Sequence, residues 1–237
     1  MSAFAESFAV AIQLITHADA NLLGTVARSI TVSGLACLIA AGFGLVAGAW
    51  LAIARFPGHR ALVLLLNTLL ALPSVVVGLI VYLLLSRSGP LGAWGLLFTP
   101  TAMVIAQTIL VLPVIAALTR QLVGDALRDG GDQLRSMGAG RLLSALLMLV
   151  HDRRAVLTVL IAAFGRAIAE VGAVMVVGGN IDGITRVMTT AIALETSKGD
   201  LPLALALGLV LLGVVGVVNM AIGLVQRGQG SALAGVR

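Results

Sequence analysis

The sequence predicts an all-α membrane protein that forms one transmembrane domain over residues 1–237, and three features of its composition support this. Apolar residues make up 59% of the chain without counting glycine, charged residues make up 11%, and the mean hydropathy is +1.11. A soluble domain carries about 25% charged residues, because its surface faces water. The composition therefore excludes a soluble globular protein, and it excludes a disordered one, which needs low hydrophobicity and high charge.

Five segments are long and apolar enough to cross about 30 Å of hydrocarbon as helices. They lie within residues 25–54 and near residues 61–85, 101–118, 155–177 and 201–225. The second and third segments contain Pro73 and Pro113. Because proline removes a helix hydrogen bond, these residues predict either kinks that permit movement or simple packing irregularities.

Residues 1–20 predict an interfacial helix that precedes the five spans. Apolar side chains recur at helical spacing in residues 3–17, which is typical of a helix that lies along a membrane surface; they are Phe4, Phe8, Ile12 and Ile15. A short sixth span is the alternative. The polar residues Glu6, His17 and Asp19 argue against a crossing.

Basic residues are distributed unequally between the two sides of the predicted bundle. One side has only Arg87, Arg186 and Lys198, whereas the other has ten arginines. Because Lys and Arg collect in the cytoplasm, we expect a multi-pass protein of the cell (inner) membrane with its N-terminus outside and its C-terminus in the cytoplasm. The ten arginines are Arg55, Arg60, Arg120, Arg128, Arg135, Arg141, Arg153, Arg154, Arg227 and Arg237.

Residues 119–154 form the longest predicted cytoplasmic segment. Asp125 is placed to cap a short helix there, Arg128 can pair with Asp132, and the glycines around Ala139 predict a turn before a second helix near Arg141. A helix–turn–helix with exposed apolar side chains suits the docking of a partner, and a solvated connector is the alternative that the spacing leaves open. The apolar side chains are Ala126, Leu127, Leu134 and Met137.

This segment resembles the EAA loop of ABC-transporter permeases, whose pattern is Glu-Ala-Ala, three residues, Gly, nine residues, Ile, one residue and Leu-Pro. Gly138 fits the glycine, and Asp132 begins the triplet that stands at Glu-Ala-Ala. The acid is shortened, and His151 replaces the proline. The run of residues 165–200 closely resembles the permeases of tungstate importers and less closely those for molybdate and sulfate.

The resemblance covers roughly residues 24–225 and implies a type I ABC importer permease bundle. In such families two permease copies enclose the path, two cytoplasmic ATPase subunits hold ATP and magnesium, and an extracytoplasmic binding protein delivers the oxyanion. Tungstate is then the expected cargo, with molybdate or sulfate as alternatives, and the chain itself is neither an enzyme nor a cofactor protein. The ATPase would dock on residues Asp125, Ala126, Leu127, Asp132, Leu134, Met137, Gly138 and Arg141.

Arg166 and Glu170 are ionisable residues inside the fourth predicted span. A charge at mid-bilayer costs about 2.5–3.5 kcal/mol, so it must be paired or face an interior path. Because the two residues are four apart, they lie on one helix face and can pair. We interpret them as a structural or gating pair, with direct contact between Arg166 and the anion as the alternative.

Residues 178–200 form the longest predicted outer loop. Glycine allows a turn before Asn180, and Arg186, Thr189 and Thr190 follow on an expected short helix. These groups are able to donate hydrogen bonds to an arriving oxyanion. A polar cap over the bundle is the alternative.

Several other functions lack the residues that they need. The chain has no GxxxxGK[ST] phosphate loop, no nucleophile elbow and no zinc-binding spacing. Its 4% of aromatic residues is too low to stack nucleic acid. An ion-coupled secondary transporter would need several buried acids and commonly has internal repeats, and only Glu170 is a candidate.

Overall fold

The computed structural model describes residues 8–10, 12–13, 16 and 20–234. The described residues before Ala20 are helical, and Phe8 and Ile12 are exposed. Glu6, His17 and Asp19 lie outside the described residues. The choice between an interfacial helix and a sixth span therefore stays a prediction.

Over residues 20–234 the chain is built from helices, without a β-strand. This confirms the all-α class. Nine α-helices occur in this range, with a 3₁₀ turn at Gly92–Trp94 between the third and the fourth. They are α1 (Ala20–Ile53), α2 (His59–Leu69), α3 (Ser74–Leu85), α4 (Pro100–Ser136), α5 (Arg141–His151), α6 (Arg153–Ile168), α7 (Gly172–Gly178), α8 (Met188–Lys198) and α9 (Leu201–Ala234).

Three helices, α1, α4 and α9, are each long and apolar enough to cross a membrane. Two further candidates are bent pairs: α2 and α3 meet at 97°, and α6 and α7 meet at 56°. The described residues therefore give five crossings if each bent pair counts as one span.

The second predicted span is not one kinked helix, which corrects the sequence-based expectation. Pro73 is the N-cap of α3 with an extended ψ of 119°, so it begins a new helix. Proline disfavours a helical conformation in the residue before it, and this explains why the chain breaks there. Pro113, in contrast, lies inside the continuous helix α4.

The fourth predicted span is also interrupted. Helix α6 ends at Ile168, and α7 begins at Gly172. The intervening Glu170 turns its carboxylate back onto the first turn of α7, where its Oε1 accepts a hydrogen bond from the amide of Ala173 at 3.2 Å. A side chain that captures backbone groups in this way favours a helix start over a continuous helix.

Helix α4 is 37 residues long, about 55 Å at 1.5 Å per residue, and therefore extends well beyond the hydrocarbon layer. The expectation that Asp125 caps a separate short helix is wrong, because Asp125 lies inside α4 and no proline interrupts the helix after Pro113. Arg128 forms its ion pair with Asp125 at 3.0 Å, not with Asp132 as predicted. The predicted turn is present after Ser136, and α5 begins at Arg141 as expected.

Small residues let two pairs of helices approach closely. A Cβ on Gly48 of α1 would lie 2.5 Å from the carbonyl oxygen of Ala116 in α4. A Cβ on Gly78 of α3 would lie 2.7 Å from the Cα of Ala173 in α7. Helix α1 thus packs along α4, and the short helix α7 is held between α3 and α4.

Candidate functional site

The first candidate region is the break between α6 and α7, which we call the break site and define by Gln107, Arg166, Glu170 and Thr189. The predicted ion pair is present there: Arg166 Nη1 donates to Glu170 Oε2 at 2.9 Å. The Glu170 side chain is 4% exposed, and that of Arg166 is 43% exposed. The pair therefore joins a buried acid to a base at the surface of the single chain.

Side chains from two other helices satisfy the backbone at the break site. Thr189 Oγ1 in α8 donates to the carbonyl of Glu170 at 2.9 Å. Gln107 Nε2 in α4 donates to the carbonyl of Ala167 at 2.9 Å. A helix interrupted inside a membrane is stable only when neighbouring groups bond to its freed backbone atoms. These two contacts supply that bonding and tie the break to α4 and α8.

Gln107 is a site residue that the sequence reasoning missed. It is buried, and its Oε1 has no hydrogen-bond partner among the described residues. The available signal was an isolated amide side chain inside the apolar segment 101–118. Its partner lies 60 positions away, so the signal alone did not indicate what it would contact.

The exposed side of the break site limits what can surround it in the membrane. Ala169 and Val171 flank Glu170 and are exposed, as Arg166 is. Hydrocarbon does not tolerate a half-exposed guanidinium, so this face must meet either protein or water.

The loop after α7 contains two further predicted residues. Asn180 has a left-handed φ of +51° and a buried Oδ1 without a partner among the described residues. Arg186 Nη1 pairs with Asp182 Oδ1 at 3.0 Å. Thr190 is buried and caps α8, since its Oγ1 accepts from the amide of Val187 at 3.0 Å. Of the six predicted path residues, the structure thus brings together Arg166, Glu170 and Thr189.

Arg28 and Ser29 of α1 hold this loop, and the sequence analysis did not single them out. Arg28 Nε donates to the carbonyl of Arg186, and Arg28 Nη1 donates to that of Gly183, both at 3.1 Å. Ser29 Oγ accepts from the amide of Met188 at 2.8 Å. The sequence feature that could have identified Arg28 is that it is the only charged residue in segment 25–53.

The second candidate region is residues 125–141, which we call the coupling turn. Met137 is 76% exposed, and nearby Val150 in α5 is 72% exposed. A groove of about 680 Å³ lies between the ends of α4 and α5 and is lined in part by Ala126, Leu134 and Met137. An open groove with exposed apolar side chains is suited to receiving another protein.

The other predicted coupling residues lie around this groove. Asp125, Leu127 and Arg141 line a neighbouring cavity of about 350 Å³, and Asp132 and Gly138 are exposed. Gly138 has a φ of +85°, a conformation that glycine adopts without strain. Across the part of the chain that the structure describes, no group of three or more His, Cys, Asp or Glu side chains is placed to hold a metal ion.

Together, the apolar helices, the broken span with its buried pair and the coupling turn define a helical, multi-pass membrane transport protein. No protein-family model matches the chain. Comparison with curated proteins finds the tungstate uptake system permease protein TupB of Peptoclostridium acidaminophilum, which is 41% identical over 94% of this chain and 97% of that relative. A probable anion ABC transporter permease protein of Haloferax volcanii is 42% identical over 84% of this chain and 88% of that relative.

The TupB protein of Campylobacter jejuni is 36% identical over 87% of both chains. The chain therefore belongs to the oxyanion permease family of ABC transporters. Proteins named as permeases in this family are membrane subunits of transporters and are not enzymes themselves.

Proposed function

We propose that this chain is the membrane permease subunit of an ABC importer for tungstate, with molybdate or sulfate as the alternative cargo. The single observation that carries a transport role is the Arg166–Glu170 pair, half-buried at a break in a membrane span. Sequence similarity to curated proteins supports tungstate as the cargo. Two relatives named for tungstate are 41% and 36% identical over 94% and 87% of the chain. Relatives named for molybdenum and sulfate are 29% and 31% identical over 76% and 71%.

Two copies of the chain enclose the path in this proposal. Arg166 is too exposed to face lipid in a single copy, and a second copy set against the same face covers it. The anion then passes between the two break sites. Because each arginine is already paired with an acid, the pair acts as a gate that opens and closes, and not as a fixed anion-binding site.

Two ATPase subunits, which carry ATP and magnesium, dock on the coupling turns. The groove beside Met137 and Val150 supports this assignment. Helix α4 extends without interruption from this groove to Gln107 at the break site. ATP binding draws the coupling turns together and opens the path to the outside, where an extracytoplasmic binding protein releases the oxyanion. Hydrolysis resets the bundle.

The coupling turn lies on the cytoplasmic side of the cell (inner) membrane in this proposal, with the N-terminus outside and the C-terminus inside. Arg55, Arg120 and Arg141 line one cavity at the end with the coupling turn, in agreement with the positive-inside rule. At the opposite end, Arg28 adds a fourth basic residue to the three counted from the sequence.

Uptake by the whole complex tests the function. The permease, the ATPase and the binding protein are reconstituted in lipid vesicles, and tungstate accumulation is measured with ATP and with a non-hydrolysable analogue. We expect accumulation only with ATP, and we expect unlabelled tungstate to compete better than molybdate or sulfate. Accumulation that does not require the ATPase would contradict the proposal, and stronger competition by sulfate would overturn the cargo assignment.

Labelling and cross-linking test the assembly. In a Cys37→Ala background, a cysteine at Met137 should react with a membrane-impermeant maleimide only from the cytoplasmic side. A cysteine at Ala169 should form a disulfide between two copies, whereas one at the exposed Leu38 of α1 serves as the control. Labelling of Met137→Cys from outside would contradict the proposed orientation. Equal cross-linking at Ala169 and Leu38 would contradict the proposed contact between the two copies through the face that contains Ala169.

A further inference from the structure

A basic cavity of about 350 Å³ lies beside the coupling turn and contains more positive charge than its neighbours neutralise. It is bounded by the end of α1, the start of α2, the second half of α4 and the start of α5. The one acid in its wall, Asp125, is already paired with Arg128 at 3.0 Å. Its basic residues are Arg55, His59, Arg120, Arg128 and Arg141.

Hydrogen-bond donors in this wall lack partners. Among the described residues, the side chains of Arg55, Arg120 and Arg141 form no ion pair or hydrogen bond. The side chains of Arg55 and Arg141 are exposed, whereas Nε of Arg120 is buried. Ser144 also lines the cavity; the residue is 2% exposed and its Oγ has no partner. Buried donors without partners are rare in native proteins, and a ligand is one of the standard explanations.

We propose that this cavity binds a tetrahedral oxyanion group, which is either the phosphate of an anionic lipid headgroup or a free inorganic oxyanion. Guanidinium groups form paired hydrogen bonds with such oxygens, and the Ser144 hydroxyl adds a neutral donor. The volume lies within the range of roughly 300–1,000 Å³ that is typical of small-ligand sites.

The composition of the wall argues against other ligands. A metal cation would be repelled by the arginines, and the single carboxylate is already paired. A nucleobase would find no Phe, Tyr or Trp ring to stack on among the residues in the wall. The anion therefore matches the wall in charge and in hydrogen-bonding capacity.

The cavity overlaps the coupling turn at Asp125, Leu127, Arg128 and Arg141, but it also extends to residues outside both regions assigned above. Arg55 and His59 come from the α1–α2 connection, and Arg120 lies before the turn. A ligand there would contact α4, α5 and the α1–α2 connection together, and would fix their relative positions. The inference does not depend on which oxyanion the importer carries.

The test uses the complete importer complex in nanodiscs of phosphatidylcholine. One arm adds inorganic phosphate at constant ionic strength, and the other replaces part of the phosphatidylcholine with phosphatidylglycerol. The melting temperature of the permease is followed in both. We expect one arm to raise it by about 5 °C when the probe exceeds its dissociation constant about 100-fold.

Three variants localise the effect. Arg120→Gln and Ser144→Ala should each weaken the response, with Arg120→Gln raising the apparent dissociation constant about tenfold or more. Ser144→Ala removes a buried hydroxyl without a partner, so it should fold at least as stably as the parent. Arg60→Gln removes one charge outside this cavity and should change the dissociation constant by less than about twofold, as expected for an exposed charge in salt.

The two arms identify the source of the anion. A response to phosphatidylglycerol alone assigns the cavity to a lipid headgroup, and a response to phosphate assigns it to a free oxyanion. The proposal is overturned if neither probe changes the melting temperature, or if Arg60→Gln weakens the response as much as Arg120→Gln. It is also overturned if Arg120→Gln releases the ATPase but leaves the anion response intact, because the cavity would then accept a carboxylate of that subunit.

Discussion

Glu170 uses its two carboxylate oxygens for different purposes. Oε2 accepts from Arg166, and Oε1 accepts from the amide of Ala173 in the first turn of α7. One buried side chain therefore neutralises a charge and begins a helix. A substitution that removes it should affect both the stability of α7 and the position of Arg166.

Glu170→Ala should lower the stability of the complex by about 1.5–3 kcal/mol and abolish uptake, because it removes charge-assisted hydrogen bonds and leaves Arg166 without its acid. The measurements are thermal unfolding and ATP-driven uptake. Asp125→Ala is the control for stability, since Asp125 and its partner Arg128 are 65% and 78% exposed and the loss of this pair should cost less than about 1 kcal/mol. Normal stability with normal uptake in Glu170→Ala would reject the assigned role.

Thr189→Val keeps the shape of the side chain and removes the hydrogen bond to the Glu170 carbonyl. We expect a loss of about 1–2 kcal/mol and slower uptake, with recovery in Thr189→Ser. Thr196 lies on the same helix, and its exposed hydroxyl bonds to the carbonyl of Ile192. Thr196→Val should therefore change thermal unfolding by less than about 0.5 kcal/mol, and equal effects at both positions would count against the break site.

At the scale of elements, α4 connects the two candidate regions. Gln107 lies near its start, and the coupling turn occupies its end. No second helix or loop has to relay a movement between them. The long helix thus gives the proposed docking surface a direct physical connection to the break site.

Gly138→Val should weaken recovery of the ATPase with the permease while the permease still inserts. The φ of +85° is strained for a β-branched residue, at about 1–2 kcal/mol, although a Cβ would meet no atom within 4 Å. Gly140 has an ordinary φ of −68° and similar free space. Gly140→Ala is therefore the control, and unchanged ATPase recovery with Gly138→Val would refute the proposed importance of the turn.

Gly48→Ala should destabilise the α1–α4 pair by about 1–3 kcal/mol, because the added methyl group would collide with Ala116 and Thr119. Gly42 lies on the same helix with open space around it. Gly42→Ala should be neutral or stabilising by up to about 1 kcal/mol, as alanine favours a helix. Thermal unfolding of the two variants separates the effect of close packing from that of helix propensity alone. Equal shifts in melting temperature would argue against close packing of α1 on α4 at Gly48.

At the scale of the whole molecule, the sequence predicted the features that local signals encode. Long apolar runs predicted α1, α4 and α9, and Gly138 predicted the turn before α5. The end of α6 at Ile168 was missed, because its stabilising partners are remote: Gln107 acts across 60 positions, and Thr189 acts across 19. The pairing of Arg166 with Glu170 was predictable from their spacing of four residues, although Glu170 lies just beyond the end of α6.

Arg166 on the outside of each protomer has a consequence for mixed assemblies. Under the proposed pairing, both copies border the same passage, so one inactive copy is enough to disable a dimer. Co-expression of equal amounts of the parent chain and Glu170→Ala should leave about a quarter of the assemblies with two intact copies. Uptake near one half of the parent value would instead indicate that each protomer conducts independently, and the defect would then be recessive in a cell that makes both forms.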